Sequence, residues 1–404
     1  MSNVLFIIST LEGGGAERTL SNIVTHFPDD WKVDILLNNK SFIRYPYKGN
    51  ILSLDLPDYG EKKTVLCLLK EIFKKTLYLK KIKKKNRYDA CISFLPSSNI
   101  SNALSGKKYG KTIISIHSNI VNNESKFVNK MFLCFFIKIL YRRTDRIIVV
   151  SEEIALEVKR KLKLSEDRIG AIINGCDIAG IRKKMRIVPK EGKSRKICEE
   201  GQKIVLTVGR MVEEKGQWHL IRAFSEVIKQ EPETKLLIVG EGRLKEYLTG
   251  LTEAYDLNEK IFFQGYSTNP FWYYSIADIF VLPSLTEGYP NVVAEAVCCG
   301  VPCIAADVHT GVREILSPDL DVLGERTNDV LEEEYGILVP VCSGKKYKSD
   351  EPLEEAESKM AEAIVKLLQD SGKRTHYKQQ SMQRSGDLDI GQIVGRWIDE
   401  ISSS

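Results

Sequence analysis

Two glutamates eight positions apart, Glu287 and Glu295, bracket the stretch of this 404-residue chain with the most chemistry in it: Glu287-Gly288-Tyr289-Pro290-Asn291-Val292-Val293-Ala294-Glu295-Ala296. It follows the apolar run Ile279–Leu282 and the residues Pro283-Ser284-Leu285-Thr286. That order places Glu287 in a loop and makes Asn291 a plausible cap for a helix over Val292–Cys298. On one helix, eight residues would separate the carboxylates by about 12 Å of rise. A hydrolase acid/base pair needs roughly 5–9.5 Å. The two acids are therefore better suited to gripping different parts of one long ligand than to sharing a single bond.

A second group begins where Lys203–Val208 ends, at Gly209-Arg210, with Lys215-Gly216 five residues on. An Arg and a Lys just past the carboxyl end of a strand sit where open α/β sheets bind ligands. Arg can fork a pyrophosphate and Lys can meet it as a point charge; a solvated basic loop would look the same. The third group is Gly13-Gly14-Gly15-Ala16-Glu17-Arg18, between the first strand and a helical pattern of Leu20, Ile23, Val24 and Phe27. Glycines at a helix N-terminus leave amides and a positive dipole end open to a diphosphate, although a plain tight turn explains them equally. The spacing is not GxGxxG and no acid follows a second strand, which disfavours a nicotinamide site.

These groups need strands to carry them. Short β-branched runs alternate with helical patterns, the mark of parallel α/β sheets. In the first half they are Val4–Ser9, Val33–Leu37, Ala90–Phe94, Thr112–Ile116, Arg146–Val150 and Ile169–Ile173. In the second they are Lys203–Val208, Lys235–Val239, Ile261–Gln264, Ile279–Leu282, Pro302–Ala305 and Gly336–Val339. Two series imply two doubly wound domains, 1–180 and 200–385, joined through the charged stretch at 180–200. A helix is expected over Leu353–Leu368. The spacing of Ile390, Ile393, Val394, Trp397, Ile398 and Ile401 predicts a last helix, 388–402, docked on the first domain.

The Glu287/Glu295 spacing resembles the E-x7-E of the retaining GT-B glycosyltransferases of family 4. Gly209-Arg210…Lys215-Gly216, the glycine-rich opening and the turn Asn174-Gly175-Cys176-Asp177 follow in that family's order over nearly the whole chain. Val150-Ser151-Glu152-Glu153 and Gly240-Glu241-Gly242 resemble its recurrent segments; Cys176 in the turn is a small departure, read as structural. The resemblance implies a GT-B fold, two Rossmann-like domains facing across a cleft, the first for the acceptor and the second for a nucleotide-sugar donor. It implies that Arg210 and Lys215 bind and stabilise the leaving diphosphate, that Glu287 contacts the donor sugar and that Glu295 holds the ribose. Backbone at Gly209, Gly288, Asn291 and Val292 would meet phosphate or sugar, and Gly14 and Gly15 would close over the phosphates. His117, in Ser115-Ile116-His117-Ser118, would be the active-site histidine near the transferred sugar.

Asp319/Asp321 and Asp387/Asp389 follow no core strand and are read as surface turns, so neither a metal nor another cofactor is expected. Nine cysteines lack a CxxC pair and there are five histidines, which speaks against a zinc module and for reduced thiols. Met1–Thr10 has no basic start or cleavage site, and the longest apolar run, Met131–Ile137, is stopped by Lys138. A cytoplasmic protein, peripheral on the inner face of the cell membrane, is expected.

The net charge of +5 divides unevenly. Residues 1–180 hold 30 Lys/Arg against 18 Asp/Glu, and the remainder 29 against 36. From Glu61 to Arg87 there are eleven basic residues, with Val65, Leu68, Leu69, Ile72, Phe73, Thr76 and Leu79 on one helical face and Lys70, Lys74 and Lys81 opposite. Phe127–Arg143 mixes aromatics and basic residues in the same way. Basic amphipathic helices suit an anionic membrane surface and a lipid-linked acceptor, such as a polyprenyl-diphosphate glycan; ordinary crossover helices would carry the same apolar faces. No nucleic-acid module is visible. Outside the UDP-sugar glycosyltransferase reading stand a sugar-nucleotide epimerase and a non-catalytic membrane protein with a vestigial donor site.

Overall fold

The computed structural model describes residues 2–41, 43–57, 64–117, 139–189 and 202–403. It separates into two compact units, residues 1–175 with 390–404, and residues 176–389.

The first unit runs β1 (Asn3–Ile7), α1 (Gly15–Thr25), β2 (Lys32–Leu37), β3 (Asn50–Ser53), α2 (Val65–Asn86), β4 (Ala90–Phe94), α3 (Pro96–Ser105), β5 (Lys111–Ile116), β6 (Arg146–Val149), α4 (Glu152–Leu162) and β7 (Ile169–Ala171). Its sheet has the order β3-β2-β1-β4-β5-β6-β7, parallel throughout. Its inner strands are buried on both faces, which is why they read as continuous apolar runs.

The second unit runs α5 (Ile178–Lys184), β8 (Ile204–Val208), α6 (Gln217–Gln230), β9 (Lys235–Val239), α7 (Lys245–Ala254), β10 (Ile261–Gly265), α8 (Phe271–Ile276), β11 (Ile279–Leu282), α9 (Asn291–Cys298), β12 (Cys303–Ala306), α10 (Val312–Leu316), β13 (Leu331–Glu333), β14 (Gly336–Val339), α11 (Glu355–Gln369) and α12 (Ser371–Arg384). The order is β10-β9-β8-β11-β12-β14-β13, with only β13 antiparallel. The last helix, α13 (Ile390–Ser402), returns to the first unit. There Ile390, Ile393, Val394, Trp397 and Ile401 join Val4, Phe6 and Leu20 in one core, and Arg146 pairs with Glu400 at 2.7 Å.

The division falls at Gly175/Cys176, earlier than the charged stretch expected to mark it. The Cys176 amide bonds Leu388 at 2.8 Å, and Asp177 caps α5 through the Gly180 amide at 2.8 Å. The turn Asn174–Asp177 is thus the crossing point itself. A Cβ on Gly175 would lie 2.9 Å from Ile390 and Ile393 side chains, which explains the glycine. Residues 190–201, within the expected junction, lie outside the described residues.

Candidate active site

Strand order reverses at β8 and β11 in the second sheet, and the loops leaving those two strands carry Arg210, Lys215 and Glu287. A switch point of this kind is where an open parallel sheet leaves room for a ligand. The loop after β8 is fixed by backbone. The Gly209 amide bonds Val239 and the Met211 amide bonds Glu241, each at 2.9 Å. Leu285 bonds the Glu214 carbonyl at 2.9 Å, tying this loop to the one after β11. Gly216, at φ 56°, would place a Cβ 2.4 Å from the Pro283 carbonyl oxygen, so only glycine fits.

Lys215 and Glu287 meet. Lys215 Nζ stands 2.5 Å from Glu287 Oε1, and Ser284 donates to the same oxygen at 2.7 Å. The Glu287 side chain is 8% exposed and that of Lys215 19%. A half-buried pair of this kind holds a strong local charge close to zero until a ligand competes for it. Arg210 is exposed, and no hydrogen bond or ion pair engages its guanidinium among the described residues. The loop therefore offers one committed cation and one open one.

Asn291 is not the cap of α9. It is the first helical residue, Pro290 takes the cap position without a side-chain bond, and the Asn291 amide donates to Tyr289 O at 2.9 Å. Proline presets a backbone angle compatible with helix entry, which displaces the start by one residue. The Asn291 amide is thus already engaged, whereas the amides of Gly288 and Val292 carry no hydrogen bond among the described residues. Glu295 lies on α9 and is buried. Sequence reading missed Ser284, a fully buried hydroxyl one residue beyond a neutral proline; only its contact with Glu287 distinguishes it.

In the first unit Gly14 caps α1 and Gly15 begins it. Glu17 folds back over this N-terminus: a Cβ on Gly14 would meet its Oε2 at 2.1 Å. A carboxylate at a helix N-terminus is stabilised by the dipole, so this end of α1 is already occupied by an acid. His117 follows β5, with Nε2 2.9 Å from Ser115 Oγ and its ring 5.1 Å from that of Phe94. Burial lowers its pKa to about 3, and Nδ1 is buried without a partner among the described residues. The imidazole is neutral at physiological pH, a hydrogen-bonding group and not a cation.

The basic helix α2 is turned differently from its apolar stripe. Val65, Leu66, Leu69, Phe73 and Leu77 are each more than half exposed, and Lys70, Lys74 and Lys81 are exposed as well. Leu79 and Ile82 face the sheet, but the inner face also buries Glu71, Lys75 and Lys83. Lys75 reaches Glu71 at 3.3 Å and Ser98 at 3.2 Å; Lys83 donates to Asn102 at 2.8 Å and to the Gly106 carbonyl at 3.0 Å. These polar contacts with α3 set the helix phase, which hydrophobic periodicity alone does not capture. The second basic segment lies largely outside the described residues, as do residues 118–138 generally. No described helix is long and apolar enough to cross a membrane.

Among the described residues one trio, His219, Cys342 and Glu354, brings possible ligand atoms within 4.8 Å of one another. Two of its three residues already have protein partners, although the Nε2 of His219 is buried without one among the described residues. His219 Nδ1 is 2.7 Å from Glu357, and Glu354 accepts from the Ser343 amide at 2.9 Å and from Tyr347 at 3.1 Å. Together with Arg222, which bonds Glu357 and the Lys348 and Pro352 carbonyls, the group fastens the 343–352 loop to α6 and α11.

Residues 13–179 match Glycosyltransferase Family 4 and residues 190–330 match Glycosyl transferases group 1. An uncharacterized glycosyltransferase of Methanocaldococcus jannaschii is 29% identical over 76% of each chain. The N-acetylgalactosamine-N,N'-diacetylbacillosaminyl-diphospho-undecaprenol 4-alpha-N-acetylgalactosaminyltransferase of Campylobacter jejuni is 27% identical over 98% of each. In structure, Anabaena HepE, solved with UDP and glucose, superposes with a TM-score of 0.72 at 17% identity, covering all of both chains. The chain belongs to the GT-B glycosyltransferases of the family 4 type. It is a glycosyltransferase.

Proposed function

We propose that this enzyme transfers a sugar, with retention of anomeric configuration, from a UDP-sugar to a lipid-linked glycan acceptor, working at an anionic membrane surface. The observation that carries this reading is the Lys215–Glu287 pair beside the open Arg210 at the switch point of the second sheet. A nucleotide-diphosphate sugar departs as a diphosphate, and catalysis requires fixed donors where that charge develops. Arg210 supplies a fork and Lys215 a point charge, while the unengaged amides of Gly288 and Val292 add dipoles. When the diphosphate draws Lys215 away, the Glu287 carboxylate is released to accept from the sugar hydroxyls. Glu295 holds the ribose.

In the transfer step the bond from the anomeric carbon to the diphosphate oxygen breaks, and the acceptor oxygen bonds the same carbon on the same face. The acceptor's proton passes to the departing phosphate oxygen, so no protein carboxylate has to act as base and no metal is required. Neutral His117 hydrogen-bonds near the transferred sugar, and Gly14 and Gly15 approach the phosphates after Glu17 yields. The Campylobacter relative, named for an undecaprenyl-diphosphate acceptor, and the exposed apolar and lysine residues of α2 support the acceptor and membrane parts of this reading.

The test is transfer from UDP-N-acetylgalactosamine, UDP-N-acetylglucosamine and UDP-glucose to undecaprenyl-diphosphate-linked glycans, in EDTA, with proton NMR of the product. An α-linked product from an α-linked donor is expected. A β-linked product, or activity only after adding a divalent metal, would contradict the mechanism. Epimerised donor without transfer would favour the epimerase, and liposome binding without sugar release the non-catalytic alternative.

A further inference from the structure

Thr310 is held in a backbone conformation that its side chain disfavours. Six described residues other than glycine have positive φ, and Thr310, at 76°, is the only β-branched one. Branching at Cβ makes the left-handed region especially unfavourable, so a threonine remains there only when its surroundings dictate it. The surroundings here are well defined. Thr310 is 1% exposed, in the loop that follows β12. Its hydroxyl donates to the carbonyl oxygen of Glu287 and lies 2.6 Å from that of His309. The next residue, Gly311, also has positive φ, 80°, and a Cβ there would lie 2.9 Å from Pro290 and 3.0 Å from the Tyr289 ring. Two successive left-handed residues thus clamp the segment from Glu287 to Pro290.

The root of this loop is rigid. Asp307 is fully buried, receives Arg313 at 2.9 and 2.7 Å and the Thr327 amide at 2.8 Å, and donates its own amide to Val339 at 2.8 Å. A loop anchored in this way can hold Thr310 against its preference, and the hydroxyl delivers that rigidity to Glu287. Glu287 is consequently fixed at two ends, its carboxylate by Lys215 and Ser284 and its backbone by Thr310.

We infer that Thr310 is the positioning residue of Glu287, keeping its carboxylate aimed at the donor sugar once the diphosphate has drawn Lys215 away. This rests on the reading of Glu287 as the donor-sugar contact. A group that acts on Glu287 alone should govern the sugar of the donor and leave its diphosphate untouched.

The experiment is calorimetric titration with UDP and with UDP-N-acetylgalactosamine, together with the rate of UDP release from the latter, on wild type, Thr310→Val, Thr310→Ser, Thr310→Gly and Glu287→Gln. Thr310→Val should lower kcat/KM for the sugar nucleotide about tenfold while UDP affinity stays within about twofold. Thr310→Ser, which keeps the hydroxyl, should restore it. Thr310→Gly should lose activity as Val does with no fall in melting temperature, because glycine relieves the left-handed strain. If Glu287→Gln loses activity but the Val and Gly variants match wild type, the inference fails and the site stands. An equal effect of Thr310→Val on UDP and UDP-sugar also overturns it, as a general loosening. Wild-type turnover in Glu287→Gln, or wild type binding neither nucleotide, removes the reading of the site and the inference with it.

Discussion

The carboxyl edges of the two sheets start from the same device, a glycine-bearing loop that leads from a strand into a helix, and put it to opposite use. At the second edge the glycines let backbone pack on backbone: a Cβ on Gly240 would lie 2.0 Å from the Gly209 carbonyl oxygen. That close lacing presents Arg210 and Lys215 from a rigid floor. At the first edge the room above Gly14 is filled by the carboxylate of Glu17, and His117 beyond β5 is neutral. The second edge offers preformed cations; the first is capped by an acid and its histidine is neutral. We propose accordingly that the second unit takes the charge of a departing diphosphate and that the first receives the acceptor.

The strongest way to break this comparison is to remove the cations. Arg210→Ala and Lys215→Ala should each lower kcat about 10²–10³-fold, the range for deleting a preorganised charge-stabilising donor. Arg210→Ala should leave the melting temperature unchanged, since Arg210 is exposed. Comparable losses on changing groups of the first edge, with Arg210→Ala active, would reverse the assignment. Next in size is the outer face of α2. Leu69→Asp with Phe73→Asp should reduce sedimentation with phosphatidylglycerol vesicles about tenfold, through lost apolar insertion and added negative charge. Turnover on a detergent-dispersed acceptor should be unaffected.

The neutrality of His117 gives a stability test. Its native pKa lies below its unfolded one, so between about pH 6.5 and 3 the unfolded chain binds a proton that the native state refuses. Stability is full above 6.5 and falls as the pH drops, by at most about 1.4 kcal/mol per pH unit. His117→Gln should lack that component in urea melts across this range; identical slopes would show that the imidazole is not desolvated. The smallest effect sharpens the other half of the comparison. Glu17→Gln removes the acid over Gly14 and should tighten UDP binding by about threefold or less, the scale of one charge at a helix end. An unchanged UDP affinity would separate the glycine loop from the phosphates.

Sequence legibility followed what is locally encoded. Ala90–Phe94, Lys235–Val239, Ile279–Leu282 and Gly336–Val339 are bounded as their apolar runs predict, because buried parallel strands need an unbroken apolar sequence. The strands that escaped are edges: Asn50–Ser53, and Leu331–Glu333 with its two glutamates. Helix α12 escaped because it buries only Tyr377 and Ser381 and shows no stripe. At the site, Arg210, Lys215 and Glu287 were readable as residue types beyond strand ends, but the meeting of Lys215 with Glu287 was not. Seventy-two positions separate them, and only the order of β8 and β11 brings them together. Ser284, Thr310 and the folded-back Glu17 were hidden for the same reason, their roles being contacts and not types.

The central claim is that the second unit's edge holds the diphosphate of a nucleotide sugar without a metal. The most direct measurement is a thermal-shift series with UDP-, GDP- and ADP-sugars, with and without EDTA, on wild type and Arg210→Ala. At a hundred times its dissociation constant a ligand adds about 2.7 kcal/mol to stability. A melting-temperature rise with the UDP-sugars that is indifferent to EDTA and lost in Arg210→Ala is the expected result. An equal rise in Arg210→Ala, a rise abolished by EDTA, or no rise with any nucleotide sugar would contradict it.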